Sequence, residues 1–345
     1  MTDNNNRHPL ILLFLKMALL AVPFLLLTAL YVWKDPFMVL RHYTPQQYDN
    51  SPYYQDEGYV GWEKLRQLGR QNHYDAFLLG NSCTKAFACT EWNKYIHARP
   101  FRFFSNNENL GDLCLKLRAL DSLYRRPVRH LLVITEVSSF RSCVPQEGPM
   151  NIMPSDVSGA SASKIQLTFF RAYLDTRFLL PYLRYQVLGR YDRGMQNRIS
   201  SACPTRTLLT NDAVLYQEDT IRVQGKRFWE GRRWTSLDAD IAHPVVQPAF
   251  IKQPQRACLQ TIHNFCVRHH ADLKLVIGPN CHGEQLNPRD LKALQDILGK
   301  DNVFDYTHSR RFSDYHGLYY DGSHFRRLVG TAILKDIYAD GQQTR

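Results

Sequence analysis

The chain has 345 residues, 44% of them hydrophobic, which is enough apolar material for a full core and excludes a disordered tail. Its formal net charge of +11 favours an acidic neighbour, either anionic phospholipid or an anionic glycan. Zinc-finger spacing, an RNP-like signature and a basic zipper are all lacking, so nucleic acid is not an expected partner, and no metal or cofactor is assigned.

The first element is the apolar run Pro9–Trp33, whose 25 residues carry one charge, Lys16. Such a run is long enough to cross a hydrocarbon layer of about 30 Å. The rival is a cleaved signal peptide, but no Ala-x-Ala-like site follows the run and it exceeds a usual signal core. Arg7 and His8 before the span nearly balance Lys34 and Arg41 after it. The short head, residues 1–8, most simply stays in the cytoplasm while the large domain is exported. The eight cysteines could then pair in an oxidising compartment, with a connectivity that spacing does not give.

Residues 34–73 read as a juxtamembrane connector with a short amphipathic helix over Gly61–Gln71. Strands and helices then alternate: strand Ala76–Leu79, helix Thr90–Tyr95, strand Arg102–Ser105, helix Gly111–Tyr124 and strand His130–Thr135. Residues 141–245 break the pattern and read as an insertion. It interleaves Tyr173, Tyr182, Tyr185, Tyr191, Trp229 and Trp234 with arginines that include Arg171, Arg177, Arg184, Arg232 and Arg233. Such a mixture suits sugar faces and carboxylates, or a segment that packs over the sheet or lies on anionic lipid. Within it, Asp156–Ser163 is expected to be a flexible link. The pattern resumes with helix Pro248–His270, strand Leu273–Ile277, a helix from Pro288 to Leu298, strand Val303–Tyr306 and helix Leu328–Tyr338. This alternation predicts an α/β fold with a parallel sheet covered on both faces.

Two short segments carry chemistry. Gly80-Asn81-Ser82 empties a strand into a turn that exposes one hydroxyl, and Asp321-Gly322-Ser323-His324 sets a carboxylate three residues before an imidazole. A serine hydroxyl needs a base to take its proton and a third group to orient that base; Ser82, His324 and Asp321 can fill those roles. Cys83, next to the serine, is expected to be buried beneath the turn.

On these residues the sequence resembles the SGNH (GDSL-like) hydrolase superfamily over roughly residues 74–140 and 250–340. The resemblance is to its membrane-anchored periplasmic branch, which includes alginate O-acetyltransferases and D-alanine-transfer proteins. It implies an SGNH-type, flavodoxin-like three-layer sandwich over 74–345, interrupted by the insertion, behind a single-pass anchor in a bacterial inner membrane. Gly80-Asn81-Ser82 stands at the nucleophile block and Asp321-Gly322-Ser323-His324 at the closing block. Asn106-Asn107-Glu108-Asn109-Leu110-Gly111 looks like the second block, so Gly111 is expected to lend an N–H to an oxyanion hole and Asn106 to face substrate. The third block departs from the family, with Glu136 where an asparagine would stand. Asn280 is the candidate replacement donor, and His282 and Glu136 are candidate substrate contacts.

Two functions follow as expectations. One is an O-acyltransferase or esterase that uses an acyl donor and an envelope glycan. The other is a non-catalytic tethered scaffold that binds glycan or a multi-span membrane acyltransferase.

Overall fold

The computed structural model describes residues 7–339, except 232, 233, 235, 236 and 238–241, so Arg232 and Arg233 lie outside the described residues. Helix α1, Arg7–Lys34, holds the apolar run, and its Leu10–Lys34 portion is long and apolar enough to cross a membrane. Asp56 caps α2, Glu57–Asn72, by accepting from the Tyr59 N–H at 2.9 Å, and the helix stops at His73 in the left-handed region. Strand β1 is Ala76–Gly80, α3 Cys89–Ile96 and β2 Pro100–Arg102. A capping box between Asn109 and Asp112 starts α4, Leu110–Ala119, which precedes β3, His130–Thr135.

The insertion contributes a helical hairpin, α5 (Ala162–Leu174) and α6 (Thr176–Leu188). After it come α7 (Gln253–His269), β4 (Asp272–Ile277), α8 (Pro288–Leu298), β5 (Val303–Asp305) and α9 (Arg327–Tyr338). Helix α7 begins later than the expected Pro248 because the N–H groups of Phe250 and Ile251 donate to Asp290 instead of opening a helix.

These five strands form one parallel sheet, in the order β2-β1-β3-β4-β5. This is a doubly wound order, and helices cover both faces. Phe77, Leu79, Leu131 and Val133 point into the layer built by α2, α4, α7 and α8. Ala76, Leu78, Leu132 and Ile134 point the other way, toward α3 and α9. Strands buried on both faces read as continuous apolar runs for this reason, and each buried Leu or Phe contributes about 1.5–3 kcal/mol.

The insertion is packed rather than loose. Asp156 accepts from the Trp62 indole N–H at 3.1 Å and Val157 is buried, so the segment expected as a flexible link is tied to α2. Residues 205–215 shield edge strand β2: Arg102 N–H donates to the Thr210 carbonyl at 2.9 Å, and Arg102 and Asn211 exchange two further bonds of 2.8 Å. Tyr173, Tyr182, Trp229 and Trp234 are all buried, which makes them packing residues and not sugar platforms.

Candidate active site

The site begins at the carboxyl end of β1. Gly80 has φ +124°, and a Cβ there would overlap the Ile134 carbonyl on neighbouring β3, so only glycine lets the chain turn this close to the sheet. Buried Asn81 accepts from the Cys83 N–H at 2.9 Å and opens the short turn Ser82–Ala86. Ser82 is thereby held at the turn's start, half-exposed.

The 321–324 loop arrives from the other end of the chain. Asp321 Oδ1 accepts from the backbone N–H groups of Ser323 and His324, both at 2.9 Å. His324 Nδ1 lies 2.8 and 2.9 Å from the two carboxylate oxygens, and its Nε2 lies 2.8 Å from Ser82 Oγ. With Nδ1–H donating to Asp321, Nε2 is left to accept the Ser82 hydroxyl proton. Burial alone would raise the Asp321 pKa; the hydrogen bond and charge of His324, with the two backbone N–H groups, bring it down to about 2. The imidazole therefore faces a fixed negative charge.

Two thiols pin this loop from beneath. Cys83 Sγ donates to Glu136 at 3.0 Å and lies 3.4 Å from the Ser323 carbonyl, and Cys281 Sγ donates to the Gly322 carbonyl at 3.1 Å. Burial, then the Glu136 charge, pushes the Cys83 thiol well above its ordinary value, so it is not a thiolate nucleophile.

The other candidates divide. Asn106 lines the same cavity as Ser82 and His324. Gly111 does not: its N–H donates to its own helix cap, Asn109 Oδ1, at 2.8 Å, and its Cα packs against the Cys143 carbonyl. Asn280 also serves its own turn, its Nδ2 donating to the Glu284 carbonyl at 2.7 Å while its Oδ1 accepts from the N–H groups of His282 and Glu284. Both of these candidate oxyanion donors are thus engaged within their own turns. Glu136 receives Cys83 behind the serine turn instead of facing substrate, and exposed His282 lies against Gly322, with Nε2 2.9 Å from the position a Cβ would take there.

The cavity has a volume of about 930 Å³, within the range of small-molecule sites. Lys85 lines it three residues after Ser82, on the same turn, a spacing that could have flagged it. Burial holds the Lys85 ammonium below its ordinary pKa, with Glu57 opposing that shift. Glu57 itself accepts from Arg206 Nε at 2.7 Å on the cavity's inner wall. Arg171, Arg177 and Arg198 from the insertion line it too; the first two belong to the arginine–aromatic mixture noted in the sequence, and Arg198 does not. Among the described residues, no group of three His, Cys, Asp or Glu side chains could hold a metal ion.

No protein-family model matches the chain, and a search of curated proteins finds no match.

Proposed function

We propose that this chain performs serine-dependent acyl-ester chemistry, as an O-acyltransferase or esterase, on a bacterial cell-envelope polysaccharide or its precursor. The observation that carries this reading is the 2.8 Å contact between Ser82 Oγ and His324 Nε2, backed by Asp321 on Nδ1. Ser82 Oγ attacks the acyl carbonyl carbon as its proton passes to Nε2, and His324 returns that proton to the departing alkoxide. A sugar hydroxyl, or water, then attacks the acyl-Ser82 ester, gives its proton to Nε2, and releases Ser82 with its proton restored. The Ser82 N–H takes the developing oxyanion in this scheme, and Asn106, whose Nδ2 donates to the Met150 carbonyl at 3.3 Å, faces substrate from the same cavity.

The doubly wound sheet, with Ser82 just past the end of β1, supports an SGNH-type core. Lys85, Arg171, Arg177 and Arg198 around the cavity favour an acidic glycan over a neutral one. The apolar α1 favours a single-pass anchor in a bacterial inner membrane with the domain in the periplasm.

A second reading is supported by the engagement of Gly111 and Asn280 within their own turns. One lost oxyanion donor is worth roughly 3–4 kcal/mol, so a site without both would be slow, and a tethered scaffold that binds glycan or a multi-span acyltransferase would show the same geometry. Fluorophosphonate labelling of the full chain in detergent separates the two. Labelling that Ser82→Ala removes supports the enzyme, whereas an unlabelled wild type with no turnover of any acetyl ester rejects it.

A further inference from the structure

The α5–α6 hairpin packs on α1 within the stretch that is long and apolar enough to cross a membrane. Phe170 of α5 meets Phe24 with ring centroids 6.1 Å apart and Tyr31 at 5.2 Å, and Tyr173 meets Tyr31 at 5.1 Å. The 25 residues of Leu10–Lys34 span about 37 Å at 1.5 Å per residue, some 7 Å more than a hydrocarbon core of about 30 Å. Phe24 lies ten residues, or about 15 Å, before Lys34. Even if the whole excess sits at the Lys34 end of an upright helix, Phe24 is still about 7 Å inside the hydrocarbon. Helix α5, in ring contact with it, meets the boundary.

The hairpin's surface matches that position. On α5, Leu167, Phe170 and Leu174 fall on one face at i, i+3 and i+7; Phe170 meets α1 and Leu167 is exposed. On α6, Leu180 is 62% and Val187 84% exposed, one above the other at a spacing of seven. Arg184, four residues after Leu180, shares that outward face and pairs with Asp192 at 3.0 Å. From 162 to 193 the chain has six Lys or Arg against two Asp, so the hairpin is basic overall. Apolar side chains flanked by long cationic stems are the pattern of a helix lying in a headgroup layer.

We propose that the α5–α6 hairpin is a second membrane-contacting element, seated in the headgroup layer of an anionic phospholipid bilayer beside α1. The proposal rests on the anchor reading of α1 and is independent of the acyl-ester reading. It has a functional consequence, because Thr168, Arg171 and Ala172 of the same helix α5 wall the cavity of Ser82. The reaction cavity thus shares helix α5 with the contact to the anchor, within reach of an anionic, lipid-borne substrate.

The test is depth-dependent fluorescence quenching on the full chain in phosphatidylcholine–phosphatidylglycerol vesicles with brominated acyl chains, comparing Leu180→Trp and Val187→Trp with the parent. Leu209→Trp, at a position 52% exposed elsewhere in the insertion, is the control. The emission added by each hairpin tryptophan should fall at least twofold with brominated lipid, while that of Leu209→Trp should not change. The quenching should weaken in phosphatidylcholine alone; equal quenching in both lipids would overturn the anionic assignment. Hairpin tryptophans that behave like the control while native Trp33 is quenched would overturn the proposal with the anchor intact. A parent whose Trp33 also escapes quenching would overturn both. None of these outcomes depends on turnover.

Discussion

Ser82 Oγ and His324 Nε2 stand 2.8 Å apart although 242 residues separate them in the chain. The parallel sheet makes the approach possible: Gly80 ends β1, Ile277 ends β4, and the 321–324 loop folds back over the same carboxyl edge.

Ser82→Ala and His324→Ala should each abolish hydrolysis of a simple acyl ester to a similar degree. The double variant should lose little more than either single one, because a nucleophile and its base fail as a unit. Steady-state rates on the three proteins check this, and additive losses would contradict it.

Asp321 should couple acid stability to the site. Its folded pKa, about 2, lies below the ordinary 3.8, so it contributes stability that is fully present above about pH 4 and is lost as pH falls through 2. With its side chain 33% exposed, solvent screening reduces that contribution to on the order of 1 kcal/mol. Urea titrations of wild type and Asp321→Asn should differ by that amount at pH 6 and converge near pH 2.

Gly80→Ala and Gly111→Ala should both act on folding. The first forces a side chain to φ +124° against the Ile134 carbonyl, and the second drives a methyl into the Cys143 carbonyl. Each should cost about 3 kcal/mol or more in unfolding experiments. For Gly111→Ala, fluorophosphonate labelling per folded molecule should stay near wild type, since its N–H is already bound to Asn109. A selective fall in labelling rate with unchanged stability would return Gly111 to the oxyanion hole.

Lys116→Met should destabilise the chain by about 3–5 kcal/mol, the cost of leaving a buried charge without its partner. Lys116 Nζ pairs with Glu108 in a fully buried contact and also donates to the Phe103 carbonyl at 3.0 Å, while Glu108 accepts from the Ser105 N–H at 3.0 Å. These bonds hold the loop that carries Asn106. The double variant Lys116→Met/Glu108→Leu should recover much of the loss, and thermal unfolding of the three variants reads the recovery.

The alternation of apolar strands with helices was legible along the chain, as was the membrane-length run in α1. So were the three groups of the Ser82 site, because a hydroxyl, an imidazole and a carboxylate are properties of residue type and the Asp321–His324 spacing is local. The roles of Gly111 and Asn280 were not legible. Whether an N–H is available to substrate depends on which acceptor lies within about 3 Å, and here Asn109 and Glu284 had already engaged these donors. Nor could composition tell an aromatic that meets a sugar from one that fills a core: Tyr173 is buried against Tyr31 and Tyr182 against Tyr53, contacts made across more than a hundred residues. The cavity wall of Arg171, Arg177 and Arg198 has the same origin, since packing of the α5–α6 hairpin against α1 and Phe37 brings the first two of those residues to the cavity of the serine. Local chemistry is written in residue type and short spacing; access to it is set by which distant segments pack against the turn.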